Sequence, residues 1–330
     1  MKKNKQKNKN ENPAFTGTVV KSTGSWYEVK TSDNQIVTCR IRGKFRIKGI
    51  KTTNPVAVGD VVDFIMEPDK DTGVIVHIHP RKNYLLRRSI NLSKQYQILA
   101  ANIDQVFVTV TLTQPETTTQ FIDRILVTAE AYNIPAVILI NKTDLLTTAE
   151  LQKQKEQLKE IYTKAGYPVL EVSAKTGQNI EQLKSLLKDK TSMFTGHSGA
   201  GKSSLINAVD PRLQIKTGEI SQVHQQGKHT TTFAQMYDFD FGGHIIDTPG
   251  IRGFGVVDIE PGEVDHYFPE IFKFKTQCKF NDCKHINEPG CAVKPALETG
   301  EIPVSRYRSY LQLLEEVSGD QQSPYRHKKI

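Results

Sequence analysis

The stretch "MFTGHSGAGKSSLINAV", residues 193–209, carries the pattern from which the fold of this chain is predicted. It begins with residues typical of a strand, passes through a loop rich in glycine, and continues with helical spacing. The loop matches G-x-x-x-x-G-K-[ST], whose backbone N–H groups and following helix N-terminus hold phosphates. The alternative interpretation is a glycine-rich turn that only caps a helix.

The residues of this loop have individual expected roles. Lys202 is expected to reach the β- and γ-phosphates of a nucleotide, and Ser203 to bind Mg²⁺. The glycines permit close approach of the backbone to a phosphate. The predicted nucleotide-binding residues here are Gly196, His197, Ser198, Gly199, Ala200, Gly201, Lys202, Ser203 and Ser204.

Upstream of this loop, predicted strands and helices alternate from residue 100 onward. Strands are predicted at 103–112, 134–140, 167–174 and 190–196, and helices at 117–132, 147–166 and 179–189. The alternation predicts an α/β fold, a parallel sheet with helices on both faces. In such sheets, ligands bind at the carboxyl ends of the strands.

The strand at 134–140 runs into "NKTD", residues 141–144. Asp144 can accept hydrogen bonds from the N1–H and the N2 amine of guanine, and adenine offers neither group. Losing two bonds to a charged acceptor costs about 3–6 kcal/mol, or roughly 10²- to 10⁴-fold in selection against ATP. We expect Asn141 to support the pocket and the Lys142 stem to cover one face of the base, with Thr143 in the same loop.

The next strand ends at "SAK", residues 173–175. There the N–H of Ala174 could bond guanine O6, and the Lys175 stem could cover the second face of the base, with Ser173 beginning the motif. Either motif alone is better explained as an ordinary surface loop at the end of a strand. Two motifs at successive strand ends, in a chain with a phosphate loop, predict a GTP-binding site.

A further motif, "IIDTPG", occupies residues 245–250 after another predicted strand. Asp247 is expected to provide a carboxylate near Mg²⁺. The N–H of Gly250 is expected to contact the γ-phosphate. The polar segment 216–237 before it is expected to be a mobile switch, in which Thr231 or Thr230 completes the Mg²⁺ coordination. The predicted magnesium residues are therefore Ser203, Thr231 and Asp247.

The position that commonly holds the attacking water departs from the usual GTPase pattern in this chain. Many GTPases carry a glutamine after the D-x-x-G motif, but this chain has Ile251 there. His229 is the nearest polar candidate, and a solvated histidine with no catalytic role is the alternative. The predicted catalytic residues are His229, Lys202 and Thr231.

The motifs occur in an unusual order along the chain. The two guanine motifs come first, followed by the phosphate loop and the "DTPG" segment, whereas an ordinary GTPase begins with the phosphate loop. Joining the termini of an ordinary GTPase domain and opening its chain at one other point would convert one order into the other. The sequence therefore predicts a circularly permuted GTPase domain.

The N-terminal third differs from the rest in charge and in pattern. Residues 1–100 carry 19 Lys+Arg against 8 Asp+Glu, a net +11, whereas the remaining 230 residues carry −3. Five short strand-like runs between 15 and 79 predict a small barrel such as an OB-fold, which commonly binds nucleic acid. Residues 1–13 read as a flexible basic arm or a solubilising tail.

The segment "RGKFRIKG", residues 42–49, lies between two of these strands. Arg42, Lys44 and Arg46 surround Phe45, a combination that can engage phosphates and stack a base. These four residues are the predicted RNA contacts. A solvated edge strand with Phe45 in the core is the alternative.

Three of the four cysteines cluster near the C-terminus. Cys278, Cys283, His285 and Cys291 form a Cys₃His set, a common structural zinc site, although the spacing departs from C-x₂-C ribbons. A closed set of four ligands leaves no open position, so the metal is expected to fold the segment and not to catalyse. Cys39, within a predicted strand, is expected to be a small core residue.

At these motifs the sequence resembles the circularly permuted, ribosome small-subunit-dependent GTPases of the RsgA family. The resemblance rests on "RGKFR", "NKTD", "SAKTG", "GHSGAGKSSLIN", "GKHTTT", "DTPGIRGFG" and "CKFNDCKHINEPGCAV", which occur in the family's order. It implies a P-loop GTPase of α/β fold between an N-terminal OB-fold and a mainly α zinc-binding domain. The expected divisions are a basic arm at 1–13, an OB-fold at 14–82, a GTPase domain at 83–256 and a zinc domain at 257–330.

The resemblance also implies a function. The chain is expected to hydrolyse GTP to GDP and phosphate, slowly alone and faster on the small ribosomal subunit, whose 16S-type rRNA it would contact during late maturation. The expected cofactors are GTP/GDP, Mg²⁺ and one structural Zn²⁺. We expect a cytoplasmic monomer that does not act at a membrane. No apolar run approaches the roughly 18 residues that cross a membrane.

Two other functions are compatible with the residues. One is a permuted GTPase acting on the large subunit. The other is an RNA-binding module that holds GTP as a structural ligand with negligible turnover, because Ile251 cannot position water. A turnover assay with and without small subunits separates the three.

Overall fold

The computed structural model describes residues 14–41, 55–88, 96–215, 234–247 and 259–321. Five strands of the N-terminal part form a closed barrel in the order β1-β2-β3-β5-β4, with β4 returning to β1. They are β1 (Phe15–Ser22), β2 (Tyr27–Thr31), β3 (Ile36–Ile41), β4 (Val61–Met66) and β5 (Thr72–Ile78). The predicted five-stranded, OB-like barrel is therefore confirmed.

Alternating side chains of these strands fill the barrel. Val19, Val29, Cys39 and Ile75 have no exposed surface, so Cys39 is the small core residue that the sequence predicts. Burial in this apolar interior raises the pKa of the Cys39 thiol to about 12, which keeps the thiol protonated and unreactive.

A hairpin that the sequence analysis did not predict follows the barrel. Its strands are β6 (Tyr84–Arg88) and β7 (Tyr96–Ala101), paired antiparallel. Leu85, Ile98 and Ala100 of this hairpin are buried, and Val58 of the barrel forms a bridge with Ala100. The hairpin therefore joins the barrel to the next domain.

The central domain is the predicted parallel sheet with helices on both faces. Its strands are β8 (Gln105–Val110), β9 (Ala136–Ile140), β10 (Val169–Glu171), β11 (Thr191–Thr195), β12 (Gln235–Asp238) and β13 (His244–Asp247). Its helices are α1 (Thr119–Ala131), α2 (Ala149–Lys164), α3 (Ile180–Leu187) and α4 (Lys202–Val209). The strand order is β10-β9-β8-β11-β13-β12, and only β12 runs antiparallel to its neighbour β13.

Local sequence explains where the first two helices begin. The hydroxyl oxygen of Thr118 accepts from the N–H of Phe121, and that of Thr148 from the N–H of Leu151. Threonine is a favoured N-cap because its side chain satisfies an N–H that the helix leaves unpaired. Apolar residues at helical spacing then pack α1 and α2 on one face of the sheet and α3 and α4 on the other.

The barrel and the central sheet form one continuous sheet of 11 strands. The junction is a short antiparallel contact in which Lys21 of β1 pairs with Gln235 of β12. An ion pair of 2.5 Å between Lys30 and Asp238 lies beside it. The barrel is therefore attached to β12, which is the edge strand of the central sheet and pairs on its other side with β13.

The C-terminal part is mainly helical, as predicted. It contains a 3-10 helix (Pro261–Tyr267), α5 (Pro269–Lys275), α6 (Val293–Glu298) and α7 (Val304–Gln321). These elements form their own core, to which Val127 of α1 contributes. Among the described residues, no helix meets the length and apolarity that a membrane span requires.

Candidate functional site

The phosphate-binding loop lies between β11, near the middle of the sheet, and α4. Gly196 has φ 141°, and a Cβ there would be 2.2 Å from the carbonyl oxygen of Thr109. Gly201 has φ 92°, and its Cβ would be 2.4 Å from Nδ2 of Asn141. Both positions exclude a side chain by backbone conformation and by space, so the loop can pass close to β8 and to the "NKTD" segment.

Lys202 is the first residue of α4, and only 6% of its surface is exposed. Its ammonium group donates hydrogen bonds to the carbonyl oxygens of Gly196 (2.9 Å) and His197 (2.8 Å). The lysine therefore lies across the loop at the N-terminus of α4, where a helix favours negative charge. Ser203 follows it and is also buried.

Asn141 connects the guanine motif to the phosphate loop. Its Nδ2 donates a 2.8 Å hydrogen bond to the carbonyl oxygen of Ala200, although 59 residues separate the two in sequence. Its Oδ1 is buried and has no hydrogen-bond partner within the described part of the chain. A buried acceptor without a partner is costly in a folded protein, so this atom fits a site that a ligand completes.

Asp144 and Ser173 connect the two guanine motifs. The Ser173 hydroxyl donates a 2.6 Å hydrogen bond to Asp144, and Ser173 has no exposed surface. The Thr143 hydroxyl contacts the loop after β10 through the carbonyl oxygen of Val172 (3.1 Å) and Oε1 of Gln178 (2.7 Å). These bonds hold the Asp144 carboxylate at the carboxyl edge of the sheet.

The two lysines of these motifs differ in their contacts. Lys142 has a left-handed backbone, φ 61°, and its ammonium group donates to the carbonyl oxygen of Gln114. The side chain of Lys175 is 80% exposed and lies 3.9 Å from the Asp144 carboxylate. Ala174 lies between Ser173 and Lys175 and packs against the core on the α3 side of the sheet.

His197 also contacts a residue that no motif indicates. Its ring stacks on Phe121 of α1, with ring centroids 3.7 Å apart and planes 19° from parallel. Burial and the nearby charge of Lys202 lower the pKa of His197, which favours the neutral imidazole. Phe121 and Gln114 come from the segment after β8, and only the folded sheet brings them to the loop.

Four of the remaining predicted residues lie within the described ranges, and seven lie outside them. Asp247 ends β13, the strand that pairs in parallel with β11, so it lies at the same edge of the sheet as the phosphate loop. Ser198, Gly199 and Ser204 belong to the loop and the start of α4. The predicted residues outside the described ranges are Arg42, Lys44, Phe45, Arg46, His229, Thr231 and Gly250.

The four predicted zinc ligands converge in the C-terminal part. Their ligand atoms all lie within 4.8 Å of one another. His285 Nδ1 is 3.6 Å from Cys278 Sγ and 3.5 Å from Cys291 Sγ. Tetrahedral zinc with ordinary bond lengths separates nitrogen and sulfur by about 3.6 Å. The set, which Cys283 completes, therefore fits a structural zinc ion.

Other side chains support this cluster. Nε2 of His285 lies 3.3 Å from the buried carboxylate of Asp265, which pairs with Lys275 at 2.7 Å. A carboxylate on the second ring nitrogen commonly orients a histidine ligand. From α7, the hydroxyls of Tyr307 (2.6 Å) and Tyr310 (2.8 Å) donate to backbone carbonyls of the ligand loop. The sequence pattern gave no indication of these partners.

Two family models match the barrel and the central domain, and relatives match most of the chain. The family model described as RsgA N-terminal domain matches residues 16–75, and the one described as RsgA GTPase matches residues 78–257. A relative from Flavobacterium johnsoniae, named small ribosomal subunit biogenesis GTPase RsgA, is 57% identical over 91% of this chain and 93% of its own length. A relative of the same name from Christiangramia forsetii is 58% identical over 91% of this chain and 95% of its own length.

Two solved structures share the fold. YjeQ from Thermotoga maritima superposes with a TM-score of 0.76 at 41% identity, covering 93% of this chain and 99% of that one. YloQ, titled a circularly permuted GTPase, gives a TM-score of 0.73 at 30% identity, covering 97% of this chain and 100% of that one. Together with the central phosphate loop and the strand order, these matches confirm the predicted permutation. The chain belongs to the RsgA GTPase family.

Proposed function

We propose that this chain is a GTPase that acts on the small ribosomal subunit during its late maturation, with hydrolysis stimulated by the subunit and coupled to release. The observation that carries the GTPase part is the hydrogen bond from Asn141 to the Ala200 carbonyl, which joins the guanine motif to the phosphate loop. The names of relatives that are more than half identical support the choice of subunit.

Guanine recognition is assigned to the two loops after β9 and β10. The carboxylate of Asp144, oriented by Ser173, would accept the N1–H and N2 protons of the base. The N–H of Ala174 would bond O6 on the other edge of the base, and Asn141 would support the pocket through its bond to Ala200. The stems of Lys142 and Lys175 would cover the two faces of the base. A site built to pair with these groups rejects adenine because its own polar atoms would otherwise stay unpaired.

Phosphate and Mg²⁺ binding are assigned to the loop before α4. Lys202, already directed across the loop, would exchange its backbone partners for the β- and γ-phosphate oxygens. Ser203 and Asp247 would hold Mg²⁺, which neutralises phosphate charge when bound. Thr231 and Gly250 are proposed to complete the contacts around the γ-phosphate.

His229 is proposed to position the attacking water, because the side chain of Ile251 has no polar atom that could do so. Because this chain has Ile251 where many GTPases carry a water-positioning glutamine, turnover in isolation is expected to be slow. Contact with the subunit would order the segment around His229 and Thr231, and hydrolysis would reverse this order and release the factor.

The barrel is proposed as the principal rRNA contact, through Arg42, Lys44, Phe45 and Arg46. The net charge of +11 in the first 100 residues favours a polyanionic partner. The zinc domain, which packs against α1, is proposed to hold a rigid surface that faces the ribosome. The protein is proposed to act as a cytoplasmic monomer. Binding dominated by phosphate contacts should weaken steeply as salt increases.

The deciding experiment measures GTP turnover by the full chain alone, with small subunits and with large subunits. Acceleration by small subunits only is expected. Acceleration by large subunits would favour the second GTPase function, and no acceleration by either would favour an RNA-binding module that holds GTP as a ligand. A parallel binding assay should give tight association with small subunits in the GTP state and weak association in the GDP state, whereas equal affinity would exclude the release step.

A further inference from the structure

A carboxylate and two imidazoles converge on the outer face of the barrel, away from both sites described above. They are Asp63 on β4, His77 on β5 and His79 directly after β5. One ligand atom from each lies within 4.8 Å of the others. The closest pair is Nε2 of His79 and Oδ1 of Asp63, at 2.9 Å, and the two imidazole rings meet edge to face with centroids 5.1 Å apart.

An irregularity in strand pairing puts both histidines on this face. Asp63 pairs with His77, but the next residue, Phe64, pairs with Ile75, so Val76 is an extra residue in β5. Ile75 and Phe64 are buried inside the barrel. In a regular strand His77 would share the inward face of Ile75, two residues earlier. The bulge reverses this alternation and directs His77 and then His79 outward.

The barrel also fixes the carboxylate. The hydroxyl of Thr16 on β1 donates a 2.7 Å hydrogen bond to the same Asp63 oxygen that contacts His79. Thr16 pairs directly with Asp63 where β1 and β4 close the barrel. The three candidate ligands are therefore carried by paired strands whose backbone positions are set by the barrel, which is a good basis for a metal site.

The chemistry of the three groups selects one class of ligand. Imidazole nitrogen with carboxylate oxygen suits divalent transition metals such as Zn²⁺. Tetrahedral zinc needs nitrogen and oxygen ligands about 3.4 Å apart, which side-chain rotation can reach from the observed separations. A simple hydrogen-bonded pair of Asp63 and His79 would not require His77 on the same face, whereas the bulge at Val76 brings it there.

We propose that Asp63, His77 and His79 form a second metal site, which binds a divalent transition-metal ion with three protein ligands. Its fourth position faces solvent, because His77 is exposed. The ion cross-links β4 to β5, and through Thr16 it braces the closure with β1. It therefore stabilises the barrel independently of the nucleotide and of the Cys₃His cluster.

The test uses the full chain with its structural zinc retained and without nucleotide. Equilibrium dialysis over a micromolar range of free Zn²⁺, followed by elemental analysis, measures bound zinc per chain. The wild type is expected to bind one zinc more than the double variant His77→Ala/His79→Ala. The matched control is His244→Ala, which removes another strand histidine of similar exposure that pairs with a single aspartate at 2.7 Å and is expected to bind as the wild type does.

Thermal unfolding provides an independent readout. Added Zn²⁺ should raise the melting temperature of the wild type and of His244→Ala, but not that of the double variant. Asp63→Asn keeps the size of the side chain and an acceptor for Thr16, so it removes the anionic ligand with little effect on folding, and it should bind the extra zinc at least severalfold more weakly. Equal zinc content and equal thermal shifts in wild type and both site variants would overturn the proposal.

Discussion

Arg306 on α7 donates a 2.8 Å hydrogen bond to the carboxylate of Asp123 on α1, and the arginine side chain has no exposed surface. The same guanidinium bonds Glu270 of α5 at 2.6 Å and lies over the ring of Phe268. Surrounded by two carboxylates, Arg306 has a pKa well above its usual value despite complete burial. This buried ion triad therefore connects the zinc domain to the GTPase domain.

Replacing Arg306 with alanine is expected to destabilise the protein by about 3–5 kcal/mol, because two buried carboxylates lose their shared partner. The control is Arg124→Ala, since Arg124 joins the same two helices through an exposed pair with Glu316. Exposed pairs contribute about 0–1 kcal/mol. Urea unfolding followed by circular dichroism measures both changes, and equal effects would contradict the buried triad as the main connection.

Glu130→Gln is expected to stabilise the protein at neutral pH. Burial raises the pKa of Glu130, although the hydrogen bond from Tyr167 partly opposes this. A carboxyl with a raised folded-state pKa binds its proton more tightly when folded, so stability falls as pH rises from the unfolded pKa through the folded one. Glutamine keeps the acceptor for Tyr167 and removes the charge.

The gain in the free energy of unfolding from Glu130→Gln should shrink as pH is lowered below the ordinary glutamate range, because there the wild-type carboxyl is protonated in both the folded and the unfolded state.

Glu160→Gln is expected to change the free energy of unfolding in the opposite direction at neutral pH. The bond from Lys164 lowers the pKa of this exposed glutamate, so its loss should destabilise slightly. Unfolding curves between about pH 3 and about pH 8, which extend below and above the ordinary glutamate pKa of about 4.3, test the two signs.

Gly201→Ala is expected to abolish GTP binding in a protein that still folds. The new Cβ would meet the Asn141 amide at 2.4 Å, which breaks the contact between guanine motif and phosphate loop. Gly166→Ala is the matched control, because Gly166 has nearly the same φ, 94°, with no atom within 4 Å of the added Cβ. It should cost about 1–2 kcal/mol of stability and leave the Kd for GTP unchanged.

Asp144→Asn is expected to weaken GTP binding by roughly 10²- to 10⁴-fold, since the charged acceptor for guanine is lost. The variant should retain the hydrogen bond from Ser173, because the asparagine oxygen can accept it. Asp240→Asn, an exposed change on the same domain, serves as control. Competition titrations with GTP and ATP measure the preference, and an unchanged ratio in Asp144→Asn would show that another group reads the base.

Cys283→Ser is expected to remove the structural zinc and to loosen α7, whose Tyr307 and Tyr310 bond the ligand loop. Protease cleavage within residues 259–321 should then become faster, because the loop loses its main constraint. Cys39→Ala changes the one cysteine outside the cluster and should retain the zinc. Zinc measured after dialysis against a weak chelator, together with cleavage rates, distinguishes the two variants.

The strands and the loop around the candidate site were predictable because buried strands and glycine-rich turns have strong local signals. Strand β9 ends at Ile140 as expected and β11 leads into the loop from Gly196, whereas β10 ends at Glu171, short of the predicted end. The hairpin β6–β7 was missed because its basic, polar middle gives no periodic pattern. Phe121 and Gln114 were missed because nothing in their own sequence indicates the loop that they contact.

Local spacing and residue chemistry were sufficient to specify the domain classes, the permuted motif order and the Cys₃His set. Which distant side chains meet could be read only from the folded chain. The triad around Arg306 joins residues 183 and 36 positions apart, and the outward turn of His77 depends on one extra residue in a strand pairing. Such contacts follow from packing and register, in which each position depends on its neighbours in space and not on its neighbours in sequence.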